Sequence, residues 1–272
     1  MKWITFSRKM GCHGSEIAAR VAGELGYRLY DTEAINQVAQ EMGFLESVRE
    51  ADEKVPSIFQ RLLSHRPTIY LDRLYSVIYE LARRGDAVFL GRGSHILLKA
   101  FTCALHVRVT ASPETRIHTL VARGLSREAA AKALKRSDDE RGAFVRFAFG
   151  VDWDDPELYD LVLNMEKLSV NLAASTVLAL ARSHEIAEAS VEALTSLERM
   201  GLASRAEAAL IEALPGQVTS ASVSVVKPGT VCLDGMVETE ERRAEAERVL
   251  RSVKGVESVD NQLRVRPRQS AS

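Results

Sequence analysis

Eight residues near the amino terminus, Arg8-Lys9-Met10-Gly11-Cys12-His13-Gly14-Ser15, have the types and spacing to hold phosphate. Two glycines let the backbone approach an anion closely, and N–H groups at a helix start point at it. Ser15 offers a hydroxyl of the kind that ligates Mg²⁺. What the loop lacks is the lysine of the Gly-Lys-Ser/Thr ending: the slot before Ser15 is Gly14. The missing cation could come from Arg8 or Lys9 in the same loop, with Lys9 favoured. The plain alternative is that both project into solvent. His13 titrates near neutral pH and could touch a phosphate, or is simply an exposed loop residue. Cys12 is part of the loop, and nothing near it in the sequence argues for a redox role.

Three further places carry chemistry. Arg92 directly follows the apolar run Ala87–Leu90 and stands between Gly91 and Gly93. A guanidinium at the carboxyl end of a buried strand can fork onto a phosphate. Asp31 follows the Tyr27–Tyr30 run and reads equally as a helix N-cap or as a ligand contact; the two are compatible. Arg136, Arg141 and Arg146 recur every five residues around Asp138-Asp139-Glu140. On one helix that spacing spreads them around the cylinder, so all three converge only if the segment bends. A solvated helix laced with its own ion pairs is the alternative.

These residues need elements to position them. Trp3–Phe6 reads as a strand, and a helix with Ile17, Val21 and Leu25 on one face runs from Ser15 to a cap at Gly26. Asp31 or Thr32 opens a helix carrying Ile35, Val38 and Met42. Residues 46–66 are polar and read as a mobile connection, and an amphipathic helix follows over roughly 68–84. The segments 87–90, 104–111 and 159–164 read as strands, Ser112-Pro113-Glu114 as a helix start, the stretch to about Phe149 as helical, and 169–182 as a helix. Strands alternating with helices imply an α/β fold, a parallel sheet covered on both faces. After His184 the pattern changes: 185–203 is an Ala/Glu-rich helical connector, and from Ser204 the order is α-β-β-α-β, a small α+β domain. The organisation expected is therefore 1–184, connector 185–203, second domain 204–267 and a disordered tail 268–272.

Composition agrees with a soluble protein. A net charge of −1 with 27% charged residues gives no general affinity for nucleic acid, so any basic feature is local. Cys12, Cys103 and Cys232 are far apart without metal-ligand spacing, which suits a reducing compartment. The sequence shows neither a secretory leader pattern nor a run of about 20 apolar residues, so the expected location is the cytoplasm, with no integral membrane segment.

GCHGSEIAARVAGELGYRLYDTEAI resembles the start of cytidylate kinases, and more closely the divergent cytidylate kinase-like family, whose loops also lack the lysine. LGRG at 90–93, VRVTASPETRIHTLVARGLS, and RSDDERGAFVRFAFGVDWDDPELYDLVLN resemble that family's strand-end Gly-Arg, its strand-to-helix joint, and its lid with last strand, in order over roughly 2–182. The resemblance implies a phosphate-loop kinase fold and ATP- and Mg²⁺-dependent transfer to a nucleoside monophosphate, CMP or dCMP first. It implies that the loop Arg8, Lys9, Gly11, Cys12, His13, Gly14 and Ser15 binds ATP phosphates, with Ser15 on the metal. Asp31, Arg92 and Arg146 would meet the acceptor, and Lys9, Arg136 and Arg141 would act on the transferred group. Two departures stand out: Gly93 replaces the Asp that follows this Arg in cytidylate kinases, and Asn36-Gln37 replaces a Tyr-Arg. They keep open a different small acceptor, or a nucleotide-binding sensor that has lost catalysis. The C-terminal unit, through TVCLDGMVETEERRAEAERVL and VKGVESVDNQLRV, resembles a BON domain, which implies binding to a protein or lipid partner. The 240–254 helix balances its basic residues with Glu241, Glu245 and Glu247, which favours a protein partner over an anionic membrane.

Overall fold

Alternation within two adjacent strands decides how the site is built. In β1 (Trp3–Arg8) the side chains of Ile4 and Phe6 point one way and those of Thr5 and Ser7 the other; in β4 (Ala104–Thr110) Leu105, Val107 and Val109 oppose His106 and Arg108. The strands pair in parallel with Thr5 opposite His106 and Ser7 opposite Arg108. One face is therefore apolar and joins the core, while the other carries a buried polar stripe leading to the carboxyl end of β1.

The computed structural model describes residues 1–42, 67–214 and 218–266. The polar stretch read over 46–66 and the tail 268–272 both lie wholly outside these residues. The described chain divides into two units, one holding Met1–Val38 and Arg84–Ser190, the other residues 39–42, 67–83, 191–214 and 218–266, so the last turn of the helix Thr32–Glu41 falls to the second.

In the first unit, β1 is followed by α1 (Gly14–Leu25), β2 (Arg28–Tyr30) and α2 (Thr32–Glu41). After α3 (Pro67–Arg83) come β3 (Ala87–Leu90), the short α4 (Ser94–Leu97), β4, α5 (Pro113–Ala122), α6 (Arg127–Phe149), β5 (Leu161–Asn164) and α7 (Val170–Ala181). The five parallel strands lie in the order β2-β3-β1-β4-β5, so β1 is central, and the crevice beyond its carboxyl end is where ligands of open α/β sheets sit. The apolar face of β1 and β4 packs with Ile17, Ala18 and Val21 of α1 and Ala173, Val177 and Leu178 of α7.

Three helix starts are explained by serine caps. Ser112 accepts the Thr115 N–H with Pro113 at the first helical position, Ser126 accepts from Ala129, and Ser169 from Leu172. Gly26, at φ 68°, closes α1 in the left-handed conformation that glycine adopts without penalty. Helix α6 runs from Arg127 to Phe149 without a break, so the bend that would gather Arg136, Arg141 and Arg146 is absent.

In the second unit, α8 is one helix from Val191 to Ala213, so the break read near residue 203 is not there. Leu202, Ala206 and Leu210 recur every four residues and face the sheet formed by β6 (Val218–Lys227), β7 (Thr230–Val237), β8 (Ser258–Asn261) and β9 (Arg264–Val265); α9 (Glu240–Ser252) adds Ala246 and Leu250 to the same core. Helix α3, which lies within the 1–184 stretch, packs along α8 and belongs to this unit.

Candidate active site

The loop between β1 and α1 surrounds a cavity of about 150 Å³ lined by residues from Arg8 through Glu16 with Arg123 and Arg141. The first helical bond of α1 runs from the Ile17 N–H to the His13 carbonyl, so the N–H groups of Ser15 and Glu16 precede the helical ladder at the cavity's edge. Lys9, Arg123 and Arg141 make the lining cationic, and Glu16 is its acid.

Why no lysine stands before Ser15 is now a matter of space. A Cβ on Gly14 would lie 2.5 Å from the Arg8 Cβ and 3.3 Å from the Val109 Cβ. The backbone of Gly14 lines the cavity, but a side chain there would point into Arg8 and Val109, so the position has room only for hydrogen. At Gly11, φ is 80° and a Cβ would sit 2.8 Å from the Arg116 carbonyl oxygen, so this turn too is packed hard against its support.

The support is a set of buried polar groups that sequence patterning did not single out. Arg116, on the first turn of α5, is 2% exposed. Its Nε donates to the Met10 carbonyl at 2.7 Å, and its two terminal nitrogens donate to the Asp138 carboxylate, each at 2.8 Å. One side chain thus ties the loop to α6. Arg108 is 3% exposed, donates to Ser7 Oγ at 2.7 Å and to Asp154 Oδ1 at 2.5 Å, and lies with its guanidinium carbon 3.8 Å from the Trp153 ring centroid. Ser7 Oγ also accepts from Trp153 Nε1 at 2.8 Å and from the Tyr159 hydroxyl at 3.2 Å. His106, further down the stripe, meets Thr5 Oγ1 at 2.8 Å, and burial pushes its pKa down, so the imidazole is held neutral.

Lys9 joins this network from above. Its ammonium donates to Asp154 Oδ2 at 3.0 Å and lies 6.0 Å from the Trp153 ring centre. Burial of Asp154 works against ionisation, yet Lys9 and Arg108 outweigh it and hold the carboxyl below the usual carboxylate range. His13 caps α1 in the left-handed region at φ 60°, with Nδ1 3.0 Å from Glu16 Oε2 and Nε2 3.5 Å from Thr119 Oγ1. Cys12 is buried, and its thiol donates to the Lys9 carbonyl at 2.8 Å and the Val109 carbonyl at 3.2 Å. Burial raises its pKa, so it fastens the loop and is no nucleophile.

A second, tighter cleft adjoins the first. Its lining includes Ser7, Arg8, Gly91, Gly93, Arg141 and Trp153, and it holds about 10 Å³. Gly91, Arg92 and Gly93 all have positive φ, at 85°, 58° and 70°, and Arg92 is a non-glycine held there. This turn buries the Arg92 side chain, which is 1% exposed and donates to Asn36 Oδ1 at 3.4 Å. Asn36, noted as a departure, is thereby the partner of Arg92. Asp31 accepts the Ala34 N–H at 3.0 Å and caps α2.

The three α6 arginines separate as an unbroken helix requires. Arg141 donates to the Arg8 carbonyl at 2.7 Å and lines both clefts. Arg136 is largely exposed and paired with Glu140 at 2.7 Å, and Arg146 is exposed; neither lines a cleft. The structure therefore gathers Arg8, Lys9, Gly11, His13, Gly14, Ser15 and Arg141 at one cavity; Cys12 and Arg92 are buried beside the clefts, and Asp31, Arg136 and Arg146 line neither of them. Arg108, Arg116, Asp138 and Asp154 were missed, although His106 and Arg108 alternating with Leu, Val and Val in a both-faces-buried strand is the signal that could have marked the stripe.

A parallel sheet with a glycine loop between its central strand and the following helix, lined with cations, defines the phosphate-loop kinase fold. Residues 3–167 match the model of the cytidylate kinase-like family, and the chain belongs to that family. Residues 201–267 match the BON domain, which takes in the second half of α8 and the sheet after it. Among solved structures, an uncharacterized protein from Eubacterium ventriosum shares 18% identity with a TM-score of 0.55, over 67% of this chain and 99% of that one. Shikimate kinase from Bacteroides thetaiotaomicron shares 10% identity at a TM-score of 0.41 over 67% and 99% of the two chains. A deoxyadenosine kinase from M. mycoides shares 13% at 0.36 over 65% and 97%. No curated protein matches the chain. Family and fold together support a phosphotransferase of the nucleotide-kinase type. Among the described residues no helix is long and apolar enough to cross a membrane, and no group of three or more His, Cys, Asp or Glu side chains could hold a metal.

Proposed function

We propose that the first unit transfers the γ-phosphoryl group of ATP to a nucleoside monophosphate, with CMP or dCMP the foremost acceptors. The observation that carries this reading is that Arg8 and Arg141 line both the cavity at the start of α1 and the cleft at Gly91–Gly93. Transfer between two phosphates requires donor and acceptor to share positive charge at the point where they meet, and little covalent chemistry beyond that. The acceptor phosphate is already ionised, so no general base is needed. ATP phosphates would lie along the loop, with Lys9 and Arg141 stabilising the transferring group, and Arg92, buried against Asn36, would hold the Gly91–Gly93 turn on the acceptor side. Mg²⁺ suits this donor set: it is held mostly by phosphate oxygens and water, and the Ser15 hydroxyl is the oxygen the protein offers, so no carboxylate cluster is required. Arg136 and Arg146 serve only if α6 shifts on closure.

A coupled assay of ADP release across nucleoside monophosphates tests the reading. Turnover with CMP or dCMP well above background ATP hydrolysis supports it; background turnover with every monophosphate contradicts it. A second reading, a nucleotide sensor with the BON domain as its output, draws on the pairing of Lys9 with Asp154, which neutralises the loop's favoured cation. Tight calorimetric binding of ATP with no turnover would select it. The BON unit would then present a protein-binding surface.

A further inference from the structure

The turn at the mouth of the tight cleft is covered by one of the protein's own side chains. Gly93 sits at φ 70°, and a Cβ there would lie 2.3 Å from both Cε2 and Cζ of Phe149. The Phe149 ring therefore rests directly on the Gly93 backbone, at the carboxyl end of β3. Phe144 meets that ring edge-on, with centroids 6.2 Å apart, and Val145 and Trp153 line the rest of the cleft. What remains, about 10 Å³, is room for one water molecule. The cavity beside it, at the start of α1, is the roomier of the two, at about 150 Å³. Phe149 is also the last residue of α6, and the next residue, Gly150, turns at φ 70° with nothing within 4 Å of the position a Cβ would take. The ring is held at the end of a helix, where the terminal turn gives way most easily.

We propose that Phe149 determines the acceptor's size: its ring occupies the ground above Gly93, and an acceptor enters only as far as that ring yields. This rests on the kinase reading, which places the acceptor at the Gly91–Gly93 turn. Glycine at 93 and phenylalanine at 149 form a complementary pair, because any side chain at 93 would expel the ring. The ring also explains why a base-reading side chain has no place at position 93 in this chain. A single six-membered ring fits over the turn once the phenyl group swings aside; a fused two-ring base also needs the ground that the displaced Phe149 ring still takes up, which truncation of Phe149 frees.

The test compares the native protein with Phe149→Ala and Phe149→Leu, using CMP and AMP as acceptors under saturating ATP. Phe147→Ala, two residues earlier on the helix and 37% exposed, is the control. Truncation to Ala should raise the AMP-to-CMP ratio of kcat/KM about tenfold, the discrimination expected from a few carbon atoms in an apolar pocket. Leu should give a smaller rise, and the KM for ATP should stay within about twofold for all variants. An unchanged ratio in a Phe149→Ala or Phe149→Leu protein that melts like the native one overturns the proposal. If no protein turns over either monophosphate, the kinase reading has failed, and calorimetric titration with AMP and CMP judges Phe149 separately. AMP binding gained by Phe149→Ala relative to native protein upholds the size role; equal affinities overturn it.

Discussion

Replacing Arg116 by Met probes the link between the phosphate loop and α6. The arginine's side chain is 3% exposed and makes three charge-assisted bonds, one to the Met10 carbonyl and two to Asp138. Methionine keeps most of the apolar stem but leaves both acceptors without their donor. Removing one partner of a fully buried ion pair costs about 3–5 kcal/mol. Asp138 is not fully buried: its side chain is 28% exposed and water can reach one side of the stranded carboxylate, which trims that figure. The Met10 carbonyl adds the cost of an orphaned acceptor, about 1 kcal/mol at the low end. The sum is about 3 kcal/mol, or a fall in melting temperature of about 6–12 °C for a unit of this size. Urea denaturation measures it, and a double-mutant cycle with Asp138→Leu isolates the pair. The doubly substituted protein should recover about 1–3 kcal/mol relative to the summed single losses, since no unpaired charge then remains. A loss under about 1 kcal/mol for Arg116→Met, or a coupling under about 0.5 kcal/mol, would show that the loop is not held in this way.

Three other outcomes follow from the geometry. Burial, with Glu207 adding to it, pushes the pKa of Asp72 on α3 up to about 8, far above the ordinary carboxylate range. The folded state therefore keeps a proton that the unfolded chain loses, so this contribution to stability is complete at acid pH and fades as pH rises from about 4 through 8. Melting of the native protein should fall from pH 5.5 to pH 9, and Asp72→Asn should flatten that slope; an equal slope in both would refute the assignment. Gly14→Ala places a methyl 2.5 Å from the Arg8 Cβ and should cost about 1–3 kcal/mol in urea titration, with weaker ATP binding by calorimetry. Arg92→Ala should lower acceptor kcat/KM about a hundredfold, roughly 2.7 kcal/mol, with ATP affinity almost unchanged, whereas Lys9→Met should act on the donor side. Equal mild effects from the two would misplace both residues.

Much of the first unit was legible because its signals are local. Apolar runs ending in glycine-rich turns, and Ser or Asp before helical periods, fix strands and caps within a few residues of where the structure has them. The phosphate loop was legible for the same reason. The counterions were not: Arg108 and Asp154 are 46 residues apart, Lys9 and Asp154 are 145 apart, and only the sheet order brings them together. Arg116 was visible within a family-like motif, but its partners on the loop and on α6 are set by tertiary packing. The five-residue spacing of the α6 arginines diverges on a straight helix, and the family resemblance pointed instead to a bent lid that the unbroken helix does not form. What sequence could not supply was that the helix would stay unbroken, since the only glycine inside it, Gly142, is tolerated without a kink. Helix α3 has the periodicity of any amphipathic helix, and periodicity does not say which core receives it; it packs with α8. The continuity of α8 was hidden because residue 203 begins no break in its four-residue apolar stripe, only a change in what that stripe faces.

The central claim is that one site joins donor and acceptor phosphates, and ³¹P NMR of the protein with Mg²⁺, ATP and CMP tests it most directly. The account predicts that ADP and CDP resonances grow together, at equal rates, with no inorganic phosphate beyond background. Growth of ADP and inorganic phosphate alone, with CMP unchanged, would contradict it.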